Sequence, residues 1–334
     1  MINTGRFKTG IKNYFMVYLF SLVINSGFLN YVTAAGMDYT RYEEQCVDGG
    51  WKRMIVEVSG IDRKLLWKAP AGAWYNGAII VLHGGGGSAT NWCSGVPAAK
   101  PSIEFSDLAL QEGFAVFALD SADGLFVDDA GHPCGKRFIS TAQNPGADQD
   151  LKFIGSVIDS LIPGVRPEKS APEIFIAGIS NGGFMAILAA TSFDDRVLAF
   201  ASVSAGDPYG TFIDCRKDLS IRQSAPGLFY DNQTMRNIGD DHACEAGDYP
   251  NEKEWLTASA QRKPYFKQFH NEGDAGVDIS CMRKAQKLLT AHGYRDDGAY
   301  IVKNTGKKRL WKHFWAREYN RPLLEFFKKC RLSQ

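Results

Sequence analysis

The chain has 334 residues, of which 45% are hydrophobic and 22% are charged, and its 38 basic residues nearly balance its 37 acidic residues. This composition is ordinary for a globular protein with a substantial core. It excludes a nucleic-acid-binding surface, which needs a clustered positive field, because the short basic run 307–309 is better explained as a solvated turn.

The first 35 residues have the features of an export signal. Three basic residues precede an apolar run from Tyr14 to about Phe28, and the small residues 32–35 suit a signal peptidase. A membrane-spanning helix needs about 20 predominantly apolar residues. Because this run is shorter and is interrupted by polar residues, we expect cleavage rather than an uncleaved anchor. The mature chain 36–334 would carry a formal charge of −2, would be secreted or periplasmic, and would have no stable membrane association.

All seven cysteines lie in the mature part, where an oxidising compartment should pair most of them. Connectivity does not follow from sequence, and one thiol must be left over. Pairing sequence neighbours predicts the disulfides Cys93–Cys134, Cys215–Cys244 and Cys281–Cys330. No pair has the C-x-x-C spacing of a zinc site, so no metal and no cofactor are expected.

Apolar runs alternate with helical patterns along the mature chain, which predicts βαβ units and a mostly parallel sheet. The predicted strands are Lys52–Val58, Lys64–Lys68, Gly77–Leu82, Phe114–Leu119, Glu173–Ala177, Leu198–Val203, Tyr265–Phe269 and Ala299–Lys303. The predicted helices are Ile103–Glu112, Asp148–Ile162, Phe184–Ala190, Ile279–His292 and Arg317–Lys329. Residues from about 206 to 263 break the alternation, are polar and contain three prolines, so we expect a cap-like insertion there.

The segment Gly178-Ile-Ser-Asn-Gly182 lies between a predicted strand and a predicted helix, the context that gives a G-x-S-x-G motif its meaning. A sharp turn would hold Ser180 in a strained conformation with its hydroxyl above the sheet. The helix that begins there would point its N-terminal amides toward the site. A chance pattern is the alternative in a chain with 34 glycines, but the strand-to-helix context argues against it.

Four glycines follow His83, directly after the strand that ends at Leu82. A glycine-rich turn lets a backbone N–H face a substrate oxygen without an intervening side chain. We expect Gly85, with Gly84 next, to form an oxyanion hole together with the amide of Asn181. A phosphate-binding loop is the alternative, and it is disfavoured because neither G-K-[ST] nor G-x-G-x-x-G is present here.

A serine hydroxyl needs a histidine base to become a nucleophile. Among six histidines, His313 follows the last predicted strand and precedes the final helix, which is where this order of elements places the base. The remaining histidines are interpreted as structural or surface residues: His83 in the glycine loop, His132 and His242 in polar loops, His270 at a strand end and His292 at a helix end.

The acid that orients this base is predicted to be Asp274, which follows the strand ending near His270. The order Ser180, Asp274, His313 is the chain order of α/β-hydrolases. Three other acids are rivals: Asp278, better explained as a helix N-cap, Glu272, whose side chain would point away, and Asp207, which follows the preceding strand.

An acidic cluster after the strand Phe114–Leu119 superficially suggests calcium. Its spacing does not match an EF-hand loop, and a solvated acidic turn is the better interpretation. The cluster comprises Asp120, Asp123, Asp128 and Asp129.

These motifs resemble those of the secreted esterases grouped with polyhydroxybutyrate depolymerases and feruloyl esterases. The resemblance covers roughly Lys52 to Lys329, nearly the whole mature domain. It rests on Leu82–Gly87, Asp148–Leu161, Gly178–Met185 and His270–Asp274.

The resemblance implies an α/β-hydrolase fold, an ester substrate, and Ser180, Asp274 and His313 as the catalytic triad. Relatives often carry Gly-Gly-His before the base, whereas this chain has Leu310-Trp-Lys-His313. That departure predicts a differently shaped pocket, with Trp311 and Trp315 beside the site.

The sequence therefore predicts a secreted serine carboxylic-ester hydrolase that acts through an acyl-enzyme on a small or polymer-linked ester. Feruloyl, acetyl and hydroxyalkanoate esters are not separated by the sequence, and the oligomeric state is not predicted. A serine peptidase of the same fold is one alternative, although it would need a larger additional domain. A catalytically inactive binding protein is another, and the intact set of site residues argues against it.

Overall fold

A computed structural model describes residues 39–95, 97–122, 136–140, 147–208, 221–225, 228–231, 236–237, 263–274, 276–303 and 310–333, and only the backbone of 147, 221–225, 228–231, 236–237 and 310. The expected signal 1–35, the cysteines Cys134, Cys215 and Cys244, and most of the expected insertion lie outside these ranges. No helix within them is long and apolar enough to cross a membrane.

Within the described residues, the central sheet has eight strands: β1 Lys52–Val58, β2 Ile61–Lys68, β3 Ala78–Leu82, β4 Ala115–Leu119, β5 Ile174–Ile179, β6 Ala199–Val203, β10 Tyr265–Asn271 and β11 Arg295–Val302. Their order across the sheet is β1-β2-β4-β3-β5-β6-β10-β11. The first two strands form an antiparallel hairpin, and β2 pairs antiparallel with β4, whereas every other neighbouring pair is parallel. A separate antiparallel sheet contains β7 Ile221–Ala225, β8 Leu228–Asp231 and β9 Arg236–Asn237.

Helices cover both faces of the central sheet. They are α1 Tyr39–Asp48, α2 Lys100–Gln111, α3 Ala147–Ser156, α4 Ile162–Val165, α5 Asn181–Ser192, α6 Ile279–Ala291 and α7 Asn320–Leu332. In β3, Ile80 faces the core cluster shared with α3, α5 and α6, while Ile79 and Val81 face the cluster shared with α2 and α7. All five side chains of β3 and all five of β4 are buried, which is why these strands are continuous apolar runs rather than alternating ones.

The predicted mostly parallel α/β architecture is confirmed, and the differences are local. The helix α1 was not predicted. The predicted helix Asp148–Ile162 is interrupted by a π-helical turn at Val157–Leu161. The last strand begins at Arg295, four residues before the predicted start. Its early residues pair with β10 but alternate between exposed and partly buried positions, so they form no apolar run in the sequence. The cap-like insertion at about 206–263 remains a prediction.

Two of the three disulfides predicted from sequence neighbours are wrong. Cys93 bonds to Cys46, with Cα atoms 5.3 Å apart, and this disulfide ties α1 to the segment after β3. Cys330 is a buried free thiol, so it does not pair with Cys281. Cys281 is disulfide-bonded, and its partner lies outside the described residues. The predicted pair Cys215–Cys244 also lies there.

Candidate active site

Ser180 occupies a tight turn between β5 and α5. Its φ of 52° and ψ of −123° lie in a region that side-chain-bearing residues rarely adopt, and the amides of Gly183 and Phe184 donate to its carbonyl. A Cβ atom on Gly178 would lie 2.0 Å from the carbonyl oxygen of Gly182, and one on Gly182 would lie 2.4 Å from the carbonyl oxygen of Leu82. Close backbone contact therefore requires both glycines, which allows the turn to present the hydroxyl of Ser180 above the sheet.

The structure brings Ser180, His313 and Asp274 into one line of hydrogen bonds. The Nε2 atom of His313 lies 2.8 Å from Oγ of Ser180. Its Nδ1 atom lies 2.9 Å from Oδ2 and 3.0 Å from Oδ1 of Asp274. His313 ends a short 3₁₀ turn that precedes α7, and Asp274 follows β10 in the turn that leads to α6. The imidazole can thus accept a proton from the serine while the carboxylate fixes its tautomer.

The carboxylate of Asp274 is completely buried. Burial alone would raise its pKa, but the neighbouring His313 and the amide of Gly276 favour the ionised form, and the pKa lies below its ordinary value. The amides of Gly276 and Val277 donate to its Oδ1 at 2.6 and 3.1 Å. Asp274 is therefore held ionised at neutral pH, in one orientation, against the imidazole.

The rival acids have other contacts. Asp278 caps α6 by accepting a hydrogen bond from the amide of Ser280, as predicted. Asp207 is buried with Oδ2 3.8 Å from Nζ of Lys284 on α6. The described contacts of His313 with a carboxylate involve Asp274 alone.

His270 lies directly behind the acid and is fully buried. Its Nε2 atom is 3.0 Å from the carbonyl oxygen of Val277, to which it donates, and 3.7 Å from Oδ2 of Asp274. Burial lowers its pKa, so the ring is neutral. His270 is thus a structural residue that orients the turn carrying the acid.

The glycine loop lies beside the nucleophile turn. A Cβ atom on Gly84 would be 3.5 Å from Cβ of Ser180, and one on Gly85 would be 3.9 Å from Cβ of Asn181. Gly85 and Asn181 are therefore neighbours next to the serine, as an oxyanion hole requires. The side chain of Asn181 points elsewhere: it bonds the backbone of Phe138 on both its N–H and its C=O, and the hydroxyl of Ser140.

His83 is a buried structural residue of the glycine loop. Its Nδ1 donates to the carbonyl oxygen of Gly84 at 2.7 Å, and its Nε2 accepts from the amide of Ser121 at 3.0 Å. These two bonds fit only the neutral ring. Burial lowers the pKa of His83 to about 4, although nearby Asp120 opposes the shift.

Because His83 must be neutral in the fold, we expect stability to fall on acidification. Its folded pKa of about 4 lies below the ordinary 6.5, so the unfolded chain binds more protons between these values and stability is lost as the pH drops through them. Lowering the pH from 7 to 5 should cost about 2 kcal/mol of unfolding free energy through this residue. Urea denaturation at both pH values measures it. A His83→Asn variant with an undiminished pH dependence would contradict the assignment.

Two predictions about the surroundings of the site are wrong. Asp120 is buried rather than solvated, because it contacts the ammonium of Lys136 and accepts from the amide of Ala89 at 3.2 Å; Asp123, Asp128 and Asp129 lie outside the described residues. Trp315 is not beside the site but packs in the core against Trp92 and Phe105. Trp311 is 66% exposed.

The sequence interpretation missed the segment 136–140, which closes one side of the site. Its backbone bonds Asn181 and also Gly86, whose amide donates to the carbonyl oxygen of Lys136 at 2.7 Å. Asp150 accepts from the amide of Ile139 at 2.6 Å and pairs with the buried guanidinium of Arg63 at 2.5 Å. In the described residues, no group of three or more potential metal ligands comes together.

No protein-family model matches the chain, and no curated protein matches it in sequence. Solved structures do match. The structure of an arylesterase has a TM-score of 0.54 and 14% identity, over 96% of this chain and 97% of that chain. The chain has the α/β-hydrolase fold. A thermostable esterase matches at a TM-score of 0.50 and 15% identity, over 86% of this chain and 64% of that chain.

A further match is Est1E from Butyrivibrio proteoclasticus, with a TM-score of 0.47 and 15% identity, over 84% of this chain and 98% of that chain. The shared fold follows from the arylesterase match, and sequence identities this low carry no substrate with them. The predicted fold class is thus confirmed, whereas the membership of a particular esterase family stays a prediction.

Proposed function

We propose that the protein is a serine hydrolase of carboxylic esters, with Ser180 as nucleophile, His313 as general base and Asp274 as the acid that orients it. The observation that carries this proposal is the unbroken line of hydrogen bonds from Oγ of Ser180 through both ring nitrogens of His313 to a buried carboxylate. A structural role alone does not require a strained serine at the start of a helix.

In the proposed reaction, Oγ of Ser180 attacks the ester carbonyl carbon while Nε2 of His313 takes its proton. The amides of Gly85 and Asn181 donate to the oxyanion of the tetrahedral intermediate, and the N-terminus of α5 adds its positive dipole end. The alcohol leaves with the proton from His313. Water then attacks the acyl carbon with His313 again as base, the bond from that carbon to Oγ breaks, His313 returns the proton to Oγ of Ser180, and the carboxylic acid leaves.

The proposed substrates are feruloyl or acetyl esters or hydroxyalkanoate esters, as the sequence resemblance implies. Support for ester cleavage over other hydrolyses comes from the fold neighbours, which are described as an arylesterase and a thermostable esterase. We also propose that the chain is exported, because the disulfide Cys46–Cys93 suits an oxidising compartment.

Covalent labelling tests the nucleophile. A fluorophosphonate probe should label the wild type and should not label Ser180→Ala. Ser192→Ala is the matched control, since Ser192 ends the same helix with its hydroxyl bonded to the carbonyl oxygen of Leu188, and it should label normally. A folded wild type that takes no label would indicate an inactive binding protein and overturn the proposal.

A comparison of substrates tests the proposed reaction type and the proposed ester classes. We expect turnover of p-nitrophenyl esters, and of methyl ferulate or a hydroxybutyrate oligomer. Faster cleavage of peptide p-nitroanilides than of any ester would favour the peptidase alternative instead.

A further inference from the structure

An arginine faces the proposed oxyanion site from the segment 136–140. The Nη2 and Cζ atoms of the Arg137 guanidinium lie 3.9 and 4.0 Å from the point where a Cβ atom on Gly85 would be, and Cβ of Asn181 lies 3.9 Å from that same point. The guanidinium, the glycine loop and the start of α5 therefore converge on one small volume. Arg137 is half-buried, so part of its side chain is accessible to solvent.

The backbone on both sides of Arg137 is fixed. Before it, the carbonyl oxygen of Lys136 accepts from the amide of Gly86 at 2.7 Å. After it, the amide group of Asn181 bonds both the N–H of Phe138, at 2.7 Å, and its carbonyl oxygen, at 2.9 Å. The hydrogen bonds that connect this segment to the glycine loop and to Asn181 therefore also fix the backbone at Arg137. As a result, less conformational entropy is lost when the guanidinium binds a ligand.

Among the residues that the structure describes, two carboxylates lie near this part of the site. The Asp274 carboxylate is completely buried behind His313 and does not face an incoming ligand. Asp120, the other buried carboxylate near the glycine loop, contacts the ammonium of Lys136. A guanidinium has five N–H donors in a planar fork that matches a carboxylate, so it can hold a ligand while keeping another contact.

We propose that Arg137 forms an anion subsite, so that the preferred substrates are esters bearing a carboxylate near the scissile bond. This inference rests on the proposed ester hydrolysis at Ser180. The Arg137 guanidinium would bind the substrate carboxylate in a charge-assisted, bidentate way and fix the ester carbonyl toward the amides of Gly85 and Asn181. Arg137 is thus a specificity-determining residue and takes no part in the proton transfers.

Matched ester pairs test the subsite. One pair carries the charge on the acyl side, mono-4-nitrophenyl glutarate against its methyl ester. The other carries it on the alcohol side, 4-acetoxybenzoate against methyl 4-acetoxybenzoate. The measured quantity is the ratio of kcat/KM for the anionic ester to that for its neutral partner. We expect the wild type to favour the anionic member of at least one pair.

In Arg137→Gln this ratio should fall about 10- to 100-fold, the range for a hydrogen-bonded charge pair. Arg137→Lys keeps the charge without the planar fork of donors, so its ratio should fall less than that of Arg137→Gln. This difference also separates the effect from misfolding. Arg166→Gln is the matched control, because Arg166 contacts only the carbonyl oxygen of Pro172 among the described contacts, and it should keep the wild-type ratio.

An unchanged ratio in Arg137→Gln, or a wild type with no preference in either pair, would overturn the anion subsite and leave ester hydrolysis standing. A wild type that hydrolyses none of the four esters would overturn the proposed function and the subsite with it.

Discussion

Asp274→Asn should lower kcat about 10⁴-fold without unfolding the protein. Nδ1 of His313 faces both carboxylate oxygens of Asp274, at 2.9 and 3.0 Å, so the carboxylate enforces the tautomer with the proton on Nδ1. An asparagine keeps the size and can still accept from the amides of Gly276 and Val277 through its oxygen. Its NH₂ group then faces Nδ1, which favours the opposite tautomer, and that tautomer cannot accept the proton of Ser180. In another serine hydrolase this substitution costs on the order of 10⁴ in kcat.

The matched control is Asp278→Asn, four residues along the same turn. Asp278 caps α6 by accepting from the amide of Ser280 at 2.8 Å, and asparagine caps a helix about as well. Its kcat should therefore stay near wild type. Steady-state kinetics on a p-nitrophenyl ester measure kcat for both variants, and thermal unfolding verifies that both are folded. A larger loss in the control than in Asp274→Asn would show that the acid was assigned to the wrong aspartate.

The residues that the sequence identified share one property: their position is set by the local order of strand, turn and helix. Gly178 and Gly182 could be read as close-contact positions because the motif lies at a strand-to-helix junction. The acid and base could be chosen because each follows a strand of a mostly parallel sheet, and the C-terminal ends of such strands meet at one edge. The structure brings these side chains within hydrogen-bond distance although Ser180 and His313 are 133 residues apart.

What the sequence could not predict depends on contacts between distant parts of the chain. The disulfide Cys46–Cys93 joins a helix that was not predicted to a turn 47 residues away, so pairing by sequence proximity failed. The sequence around Asp120 is typical of a solvated acid, because nothing in it indicates the contacts that Asp120 makes with Lys136 and with the amide of Ala89. Trp315 stands two residues from His313 in sequence, but the 3₁₀ turn ends at His313, and the ring of Trp315 packs against Trp92 and Phe105 in the core.

The segment 136–140 is the clearest example of a feature that depends on contacts between distant parts of the chain. Nothing in its own five residues marks it as part of an active site. Its role follows from the side chains of Asn181 and Asp150, which bond its backbone from 43 and 11 residues away. One signal was present: the family resemblance included Asp148–Leu161, and Asp150 within it is completely buried, paired with Arg63. An acidic residue inside an apolar helical pattern indicates a buried side chain that positions another part of the chain.

Gly276→Ala should lower kcat/KM about 100-fold by displacing the base. A Cβ atom at position 276 would lie 2.4 Å from Cγ and 2.5 Å from Nδ1 of His313, far inside van der Waals contact. The expected effect comes from this collision between the added methyl group and the imidazole. The imidazole has to move away from Asp274, from Ser180, or from both, because its two ring nitrogens are held at 2.9 and 2.8 Å.

A displacement of about 1 Å at a catalytic group can cost on the order of 10² in rate, which sets the expected magnitude. Gly164→Ala is the matched control, since a Cβ atom there meets nothing within 4 Å. If Gly276→Ala keeps the wild-type kcat/KM and its fluorophosphonate labelling rate, then the ring of His313 is not confined against this turn during turnover, and the hydrogen-bonded line is not the arrangement that catalyses the reaction.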